Sequence, residues 1–199
     1  MQNIKDNTYQ KLMDTGRKLV EEKGAEFLTA RKLSEASGCS IGTIYNQFSS
    51  MDDFIADQNE QTLKELFVYI NSVSKGKSSY QNLNNYVDSF VDFVLRHRQL
   101  WFLLYNFHLC NKNFQLKHSY KKILVKLSSI AYADLSNVFS QIEAKRLKLA
   151  NQVLWLSLMA VSSMLTTNVL DNMGLVNKNN LCKVMFNTYL AGMMVLNND

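Results

Sequence analysis

The sequence predicts an all-α chain, with a three-helix head at the N-terminus and a longer helical body behind it. Proline is absent and glycine occurs only seven times in 199 residues, so the commonest helix breakers are missing. Apolar residues recur at three- and four-residue spacing along most of the chain, and no stretch alternates with the period of two that a half-buried strand needs. A hydrophobic share of 47% suffices for a substantial core at this length, which excludes a disordered chain.

Residues 4–23 read as the first helix. Leu12, Gly16, Leu19 and Val20 share an inward face, and Gly24 stands where the helix should end. Gly16 gives up about 1 kcal/mol of helix propensity, for which close approach of a neighbouring helix is the packing reason. Residues 30–37 form a second helix, with Thr29 placed to cap its first turn and Gly38 just past its end, where a left-handed residue stops it. Residues 41–48 follow at once with Ser40 as N-cap. Leu33, Ala36, Ile41, Ile44 and Phe48 supply apolar positions at helical spacing, with Ile44 and Phe48 turned inward. Two short helices on a tight turn make a helix-turn-helix.

Ser50 with Asp53 three residues on is a capping pattern that opens a helix to about residue 72, with Phe54, Ile55, Leu63, Leu66, Phe67 and Ile70 as its apolar face. The polar run SVSKGKSS at 72–79 is the clearest break and sets the expected organisation: a head at 1–49, a connecting helix and boundary at 50–75, and a body at 76–199. Five body helices are expected at about 80–96, 99–110, 114–140, 143–170 and 178–196. In the third, Tyr120, Ile123, Leu124, Leu127, Ile130, Ala131, Leu135, Val138 and Phe139 keep helical spacing throughout. Residues 149–170 carry no charge and are long enough to cross a bilayer. Asn151, Gln152, Ser157, Ser162, Ser163, Thr166, Thr167 and Asn168 are scattered through them, however, so burial against the body and a partner subunit explains them better than lipid does.

Within the head, Gly24, Phe27, Thr29, Leu33, Ala36, Gly38, Ser40, Gly42, Thr43, Tyr45 and Phe48 resemble the N-terminal signature of the TetR family of transcriptional regulators, over about residues 12–54. The resemblance implies a DNA-binding head and a C-terminal helical ligand-binding and dimerisation body. It implies a dimeric repressor on a palindromic operator, released by a small apolar or amphipathic effector. On that reading Thr29, Arg31, Ser40, Ile41, Gly42, Thr43, Tyr45, Asn46 and Gln47 form the DNA-binding set. Tyr45 and Gln47 fall at the family's backbone-contacting positions, while Thr43, Asn46 and Gln47 can reach base edges. Ile41 and Met51 depart from the lysines many relatives carry. Each missing phosphate contact flattens the salt dependence by about one unit of slope. Ile41 either touches a thymine methyl or tightens the motif's packing.

In the body, the family arrangement makes Phe90, Phe93, Trp101, Tyr105, His108, Trp155 and Met159 the candidate effector pocket, against a simple aromatic core as the alternative. The helices at about 143–170 and 178–196 are the expected homodimer face. A helical dimeric ligand- or protein-binding module with weak or lost DNA affinity is the second functional reading.

Charge does not decide between the two readings. The net of +5 is unevenly placed: nine bases against eleven acids through Lys75, and thirteen against six beyond it. The case for DNA therefore rests on the motif and on where Lys5, Lys11, Arg17, Arg31 and Lys32 project. Cys39, Cys110 and Cys182 show no metal-ligand spacing, so no zinc site or disulfide framework is expected. Cys39, in the turn, reads as a packed thiol, with oxidation sensing as the alternative. No nucleophile with an adjacent base, carboxylate pair or phosphate loop is visible, so neither an enzyme nor a cofactor is expected. The first residues lack the apolar stretch of a signal peptide, which makes a cytoplasmic protein the simplest expectation.

Overall fold

The computed structural model describes residues 2–73, 75–111, 113–174 and 180–198. Among these, all regular structure is helical: α1 (Gln2–Lys23), a 3-10 turn (Ala25–Phe27), α2 (Ala30–Ser37), α3 (Ile41–Gln47), α4 (Met51–Ser72), α5 (Ser79–Arg96) and α6 (Arg98–Cys110) come first. They are followed by α7 (His118–Ser128), α8 (Tyr132–Val138), α9 (Ala144–Leu165), α10 (Val169–Asn172) and α11 (Leu181–Asn198). The chain divides into two compact units, Met1–Thr62 with His97–Lys117, and Leu63–Arg96 with His118–Asp199. The division falls inside α4.

The first unit is built around Leu12, Met13 and Val20 of α1, Leu33 of α2, Ile44 and Phe48 at α3, and Phe54 of α4. Leu100 and Leu103 of α6 complete this core, so a segment of the expected body packs on α1 and the 3-10 turn. Gly16 allows α4 in close: a Cβ there would stand 2.5 Å from Phe54 Cζ, and the Phe54 ring is itself held edge-on to Phe48 at 4.8 Å. Residues Ala56 to Glu60 are buried at every consecutive position, four of them polar. Tyr9 donates to Asp57 Oδ2 at 3.0 Å and the Lys117 ammonium pairs with the other carboxylate oxygen. Arg17 Nη1 donates to Thr62 Oγ1 at 3.2 Å.

In the second unit α5 packs on α8, α9 and α11, and α9 also meets α7, α8 and α10. Leu83, Phe90, Leu127, Leu135, Leu158 and Phe186 are fully buried there. Tyr69 donates to Asp92, whose carboxylate also accepts from Arg96 Nε at 2.8 Å.

Two expected helices are broken. The helix expected over 114–140 is divided into α7 and α8 at residues 129–131, where the hydroxyls of Ser128 and Ser129 bond back to the Val125 carbonyl at 3.0 and 2.8 Å. Asn151 Nδ2 takes the Ser128 carbonyl at 2.6 Å, satisfying a helix end that would otherwise be orphaned. The helix expected over 143–170 ends at Leu165, where Thr166 and Thr167 return their hydroxyls to the Ser163 and Met164 carbonyls. The last helix is described over Leu181–Asn198, and residues 178 and 179, where its start is expected, lie outside the described residues. Phe48 is the C-cap of α3 rather than its last residue.

Candidate nucleic-acid interface

The turn between α2 and α3 is fixed by its own short side chains. Thr29 Oγ1 accepts from the Lys32 N–H at 3.2 Å, and Gly38 adopts φ 69°, a left-handed conformation that ends α2 while its N–H donates to the Ser34 carbonyl. Ser34 Oγ donates to the Cys39 carbonyl at 2.7 Å, and the Cys39 N–H donates to Ser37 Oγ at 3.2 Å. The Cys39 side chain packs against the unit's core, as a small thiol in a turn does.

Ser40 starts α3. Its hydroxyl accepts from the Thr43 N–H at 3.1 Å and lies 2.9 Å from Thr43 Oγ1, so both hydroxyls are engaged in the cap. With Ile44 and Phe48 buried below, α3 leaves Ile41 and Tyr45, each 46% exposed, on its surface together with exposed Gly42 and Asn46. Thr43 and Gln47 are half-buried at its edges. Ile41 is outside the core cluster, whereas Met51 packs against it, so the methionine is committed to the core and the isoleucine is available on the surface.

The cations of α2 share one acid. Arg31 Nε lies 3.0 Å from Glu35 Oε1 and Lys32 Nζ 3.1 Å from Glu35 Oε2. Hydrogen bonds from Lys32, and then from Arg31, hold the Glu35 carboxyl below its ordinary pKa, and with two cations beside one carboxylate the three side chains together carry +1 at neutral pH. Lys11 is exposed, Arg17 is spent on Thr62, and the Lys5 side chain lies outside the described residues.

The aromatic residues assigned to an effector fall in both units. In the first, Trp101 is fully buried on α6, Tyr105 is half-buried, and burial pushes the His108 imidazole below its usual pKa. In the second, Phe90 and Trp155 meet edge to face at 5.6 Å, Phe93 is buried near Tyr69, and Met159 is half-buried. Two further polar groups escaped the sequence reading. Among the described residues, Asn59 of α4 is fully buried with neither its oxygen nor its nitrogen partnered, and Gln58 donates to the Met13 carbonyl at 2.7 Å but leaves its own oxygen unpartnered. Their signal in the sequence was the run DQNE at 57–60, inside a helix whose apolar stripe resumes at Leu63.

On α9, Leu149, Val153 and Leu156 form an exposed apolar line, and Val184 and Val195 do the same on α11. Between these helices runs a groove of about 560 Å³ floored by Ala150, Tyr189 and Met193, where the buried Tyr189 hydroxyl has no partner among the described residues. Among the described residues no group of three or more His, Cys, Asp or Glu could hold a metal ion, and no helix is long and apolar enough to cross a membrane.

Residues 12–57 match the family described as bacterial regulatory proteins, tetR family. A tetR-family transcriptional regulator from Streptomyces coelicolor has the same fold, with TM-score 0.69 at 13% identity, covering 96% of this chain and 82% of that one. The fatty acid degradation regulator FadR from Bacillus halodurans gives 0.64 at 16%, covering 92% and 94%. RolR, solved in complex with resorcinol, gives 0.59 at 16%, covering 98% and 90%. No curated protein matches the chain. Residues 12–57 thus match the helix-turn-helix head of the tetR family, and the chain as a whole shares its fold with a tetR-family transcriptional regulator.

Proposed function

We propose that this protein is a cytoplasmic repressor that binds a palindromic operator as a homodimer and leaves it when a small apolar or amphipathic effector binds. The observation that carries the reading is the face of α3. Ile41, Gly42, Tyr45 and Asn46 are exposed together on a helix whose start, turn and core are all fixed, as a major-groove element requires. Thr29, Arg31, Ser40, Thr43 and Gln47 flank that face; Thr29, Arg31 and Ser40 are assigned to phosphate contact and register, and Thr43 and Gln47, with Asn46, also to base edges. The apolar lines on α9 and α11 support pairing of two copies across a twofold axis, which sets the heads about 34–36 Å, or a multiple of that, apart. Two effector-recognition sets are assigned, each within its own unit: Trp101, Tyr105 and His108 in the first, and Phe90, Phe93, Trp155 and Met159 in the second. Asn59, in the first unit, is a buried amide with no hydrogen-bond partner among the described residues. Resorcinol, the ligand named for RolR, is a small aromatic diol and sits within the effector class assigned here.

The test is selection of duplexes from a random pool, followed by fluorescence anisotropy at two salt concentrations with a scrambled competitor. A selected palindrome bound in preference to the competitor, more weakly at high salt and more weakly by Tyr45→Ala, supports the repressor. Leu149→Glu should then halve the mass in sedimentation and weaken operator binding. Equal binding to both duplexes favours a helical ligand- or protein-binding dimer, the second reading. The acidic balance through Lys75, the packed Met51 and the sharing of Glu35 by Arg31 and Lys32 all speak for that alternative.

A further inference from the structure

We infer that the second unit holds a separate site for a small zwitterion of amino-acid size, in the cavity between the end of α4, the start of α5 and the turn into α8. The cavity is about 240 Å³ and shares no residue with the aromatic set assigned to the effector. At about 30 Å³ per water it holds roughly eight waters, which suits an amino acid and falls short of a drug-sized ligand.

Its floor is apolar, from Ile70, Leu83 and the ring of Tyr86, and its wall carries one fixed acid and one base, Asp134 and Lys75. These two charges do not pair with each other. Lys75 makes no ion pair among the described residues, and Asp134 uses only Oδ1, which accepts from Asn82 Nδ2 at 3.0 Å. The Asn82 oxygen accepts the Gly76 N–H at 2.7 Å, so one neutral amide stands between the acid and the loop that carries the base, and holds both in place. The loop is pinned a second time where the Lys77 N–H donates to Gln81 Oε1 at 2.9 Å. Gly76 makes that geometry accessible, since a Cβ would stand 2.5 Å from Gln81 Cγ.

Opposite charges held apart by a satisfied amide leave room for a ligand that carries both. Its ammonium meets the open oxygen of Asp134, its carboxylate meets Lys75, and its methylenes lie on Leu83 and Tyr86. An amine or an acid alone satisfies only one end and leaves the other charge facing the ligand's apolar part.

The test uses the isotope-labelled full-length protein titrated with γ-aminobutyrate, with butylamine and butyrate as single-charge controls. The Gly76 backbone amide and the Asn82 side-chain amide serve as local reporters. Both should shift saturably with γ-aminobutyrate, and each control should bind at least about tenfold more weakly. Asp134→Asn keeps the acceptor for Asn82 while removing the charge, and Lys75→Met alters an exposed side chain only. Each should cost about tenfold in affinity for the zwitterion. Absence of a saturable shift overturns the proposal, as does binding of either control as tightly as γ-aminobutyrate, or affinity unchanged by both substitutions. None of these outcomes depends on DNA binding or on the aromatic residues.

Discussion

Replacing Glu35 by glutamine measures how α2 meets DNA. In the free protein the Glu35 carboxylate holds Arg31 and Lys32 at 3.0 and 3.1 Å, and the three side chains are 49%, 84% and 50% exposed in that order. A phosphate approaching either cation must first displace that carboxylate. Exposed pairs of this kind are weak and soften further with salt, so their removal should tighten operator binding by about three- to tenfold at low salt. The sharper signature is the salt dependence. Each cation freed to neutralise a phosphate steepens the slope of log K against log salt by about 0.9, so Glu35→Gln should steepen it by about one to two units.

The effect is a neutral-pH one. Lys32 and Arg31 depress the Glu35 pKa, so the pairs are fully formed above the ordinary glutamate value and open only as pH falls through the lower folded value. Fluorescence anisotropy on the selected operator across a salt series at neutral pH provides the measurement, with Arg31→Gln as the opposite perturbation. An unchanged affinity and slope in Glu35→Gln would show that neither cation approaches the backbone, and would remove Arg31 from the interface.

Three further outcomes follow from packing. Gly16→Ala places a Cβ 2.5 Å from the buried Phe54 ring, and overpacking of about 1–3 kcal/mol outweighs the helix propensity gained of about 1 kcal/mol; urea unfolding should show a net loss. A gain would mean the ring yields freely. Asn59→Leu removes a buried amide that has no partner among the described residues and should stabilise the effector-free protein by about 1–3 kcal/mol in the same assay, whereas a loss would reveal a partner in the native fold. Cys110 is exposed and should react at once with a thiol reagent, while Cys182, whose thiol burial pushes up to about 11, should react only on unfolding. Rapid labelling of Cys182 in the native protein would contradict its place in the core.

The head was legible because its signals are local. Thr29, Ser40 and Ser50 cap within three residues, and Gly38 terminates α2 through its own backbone angle. The breaks at 129–131 and 166–168 were hidden by the very periodicity that marks the helices: Leu127, Ile130, Ala131 and Leu135 keep helical spacing across the first. What divides α7 from α8 there is serine hydroxyls returning to carbonyls and Asn151 reaching across from α9, and that choice depends on tertiary context. Leu100 and Leu103 joined the first unit's core through contacts remote in sequence, which no spacing rule reaches. Asn59 carries no spacing signal of burial, because polar residues in an amphipathic helix ordinarily form its wet side, whereas here five consecutive positions are buried.

The placement of charge has a bearing on copy number. Bulk DNA competes with an operator through about 10⁶–10⁹ sites, and the pull of those sites is electrostatic. A segment through Lys75 with nine bases against eleven acids, and with both cations of α2 engaged by Glu35, gives that reservoir little to hold. Under the proposed reading a cell loses few molecules to its own chromosome, and a small pool of dimers keeps one operator occupied.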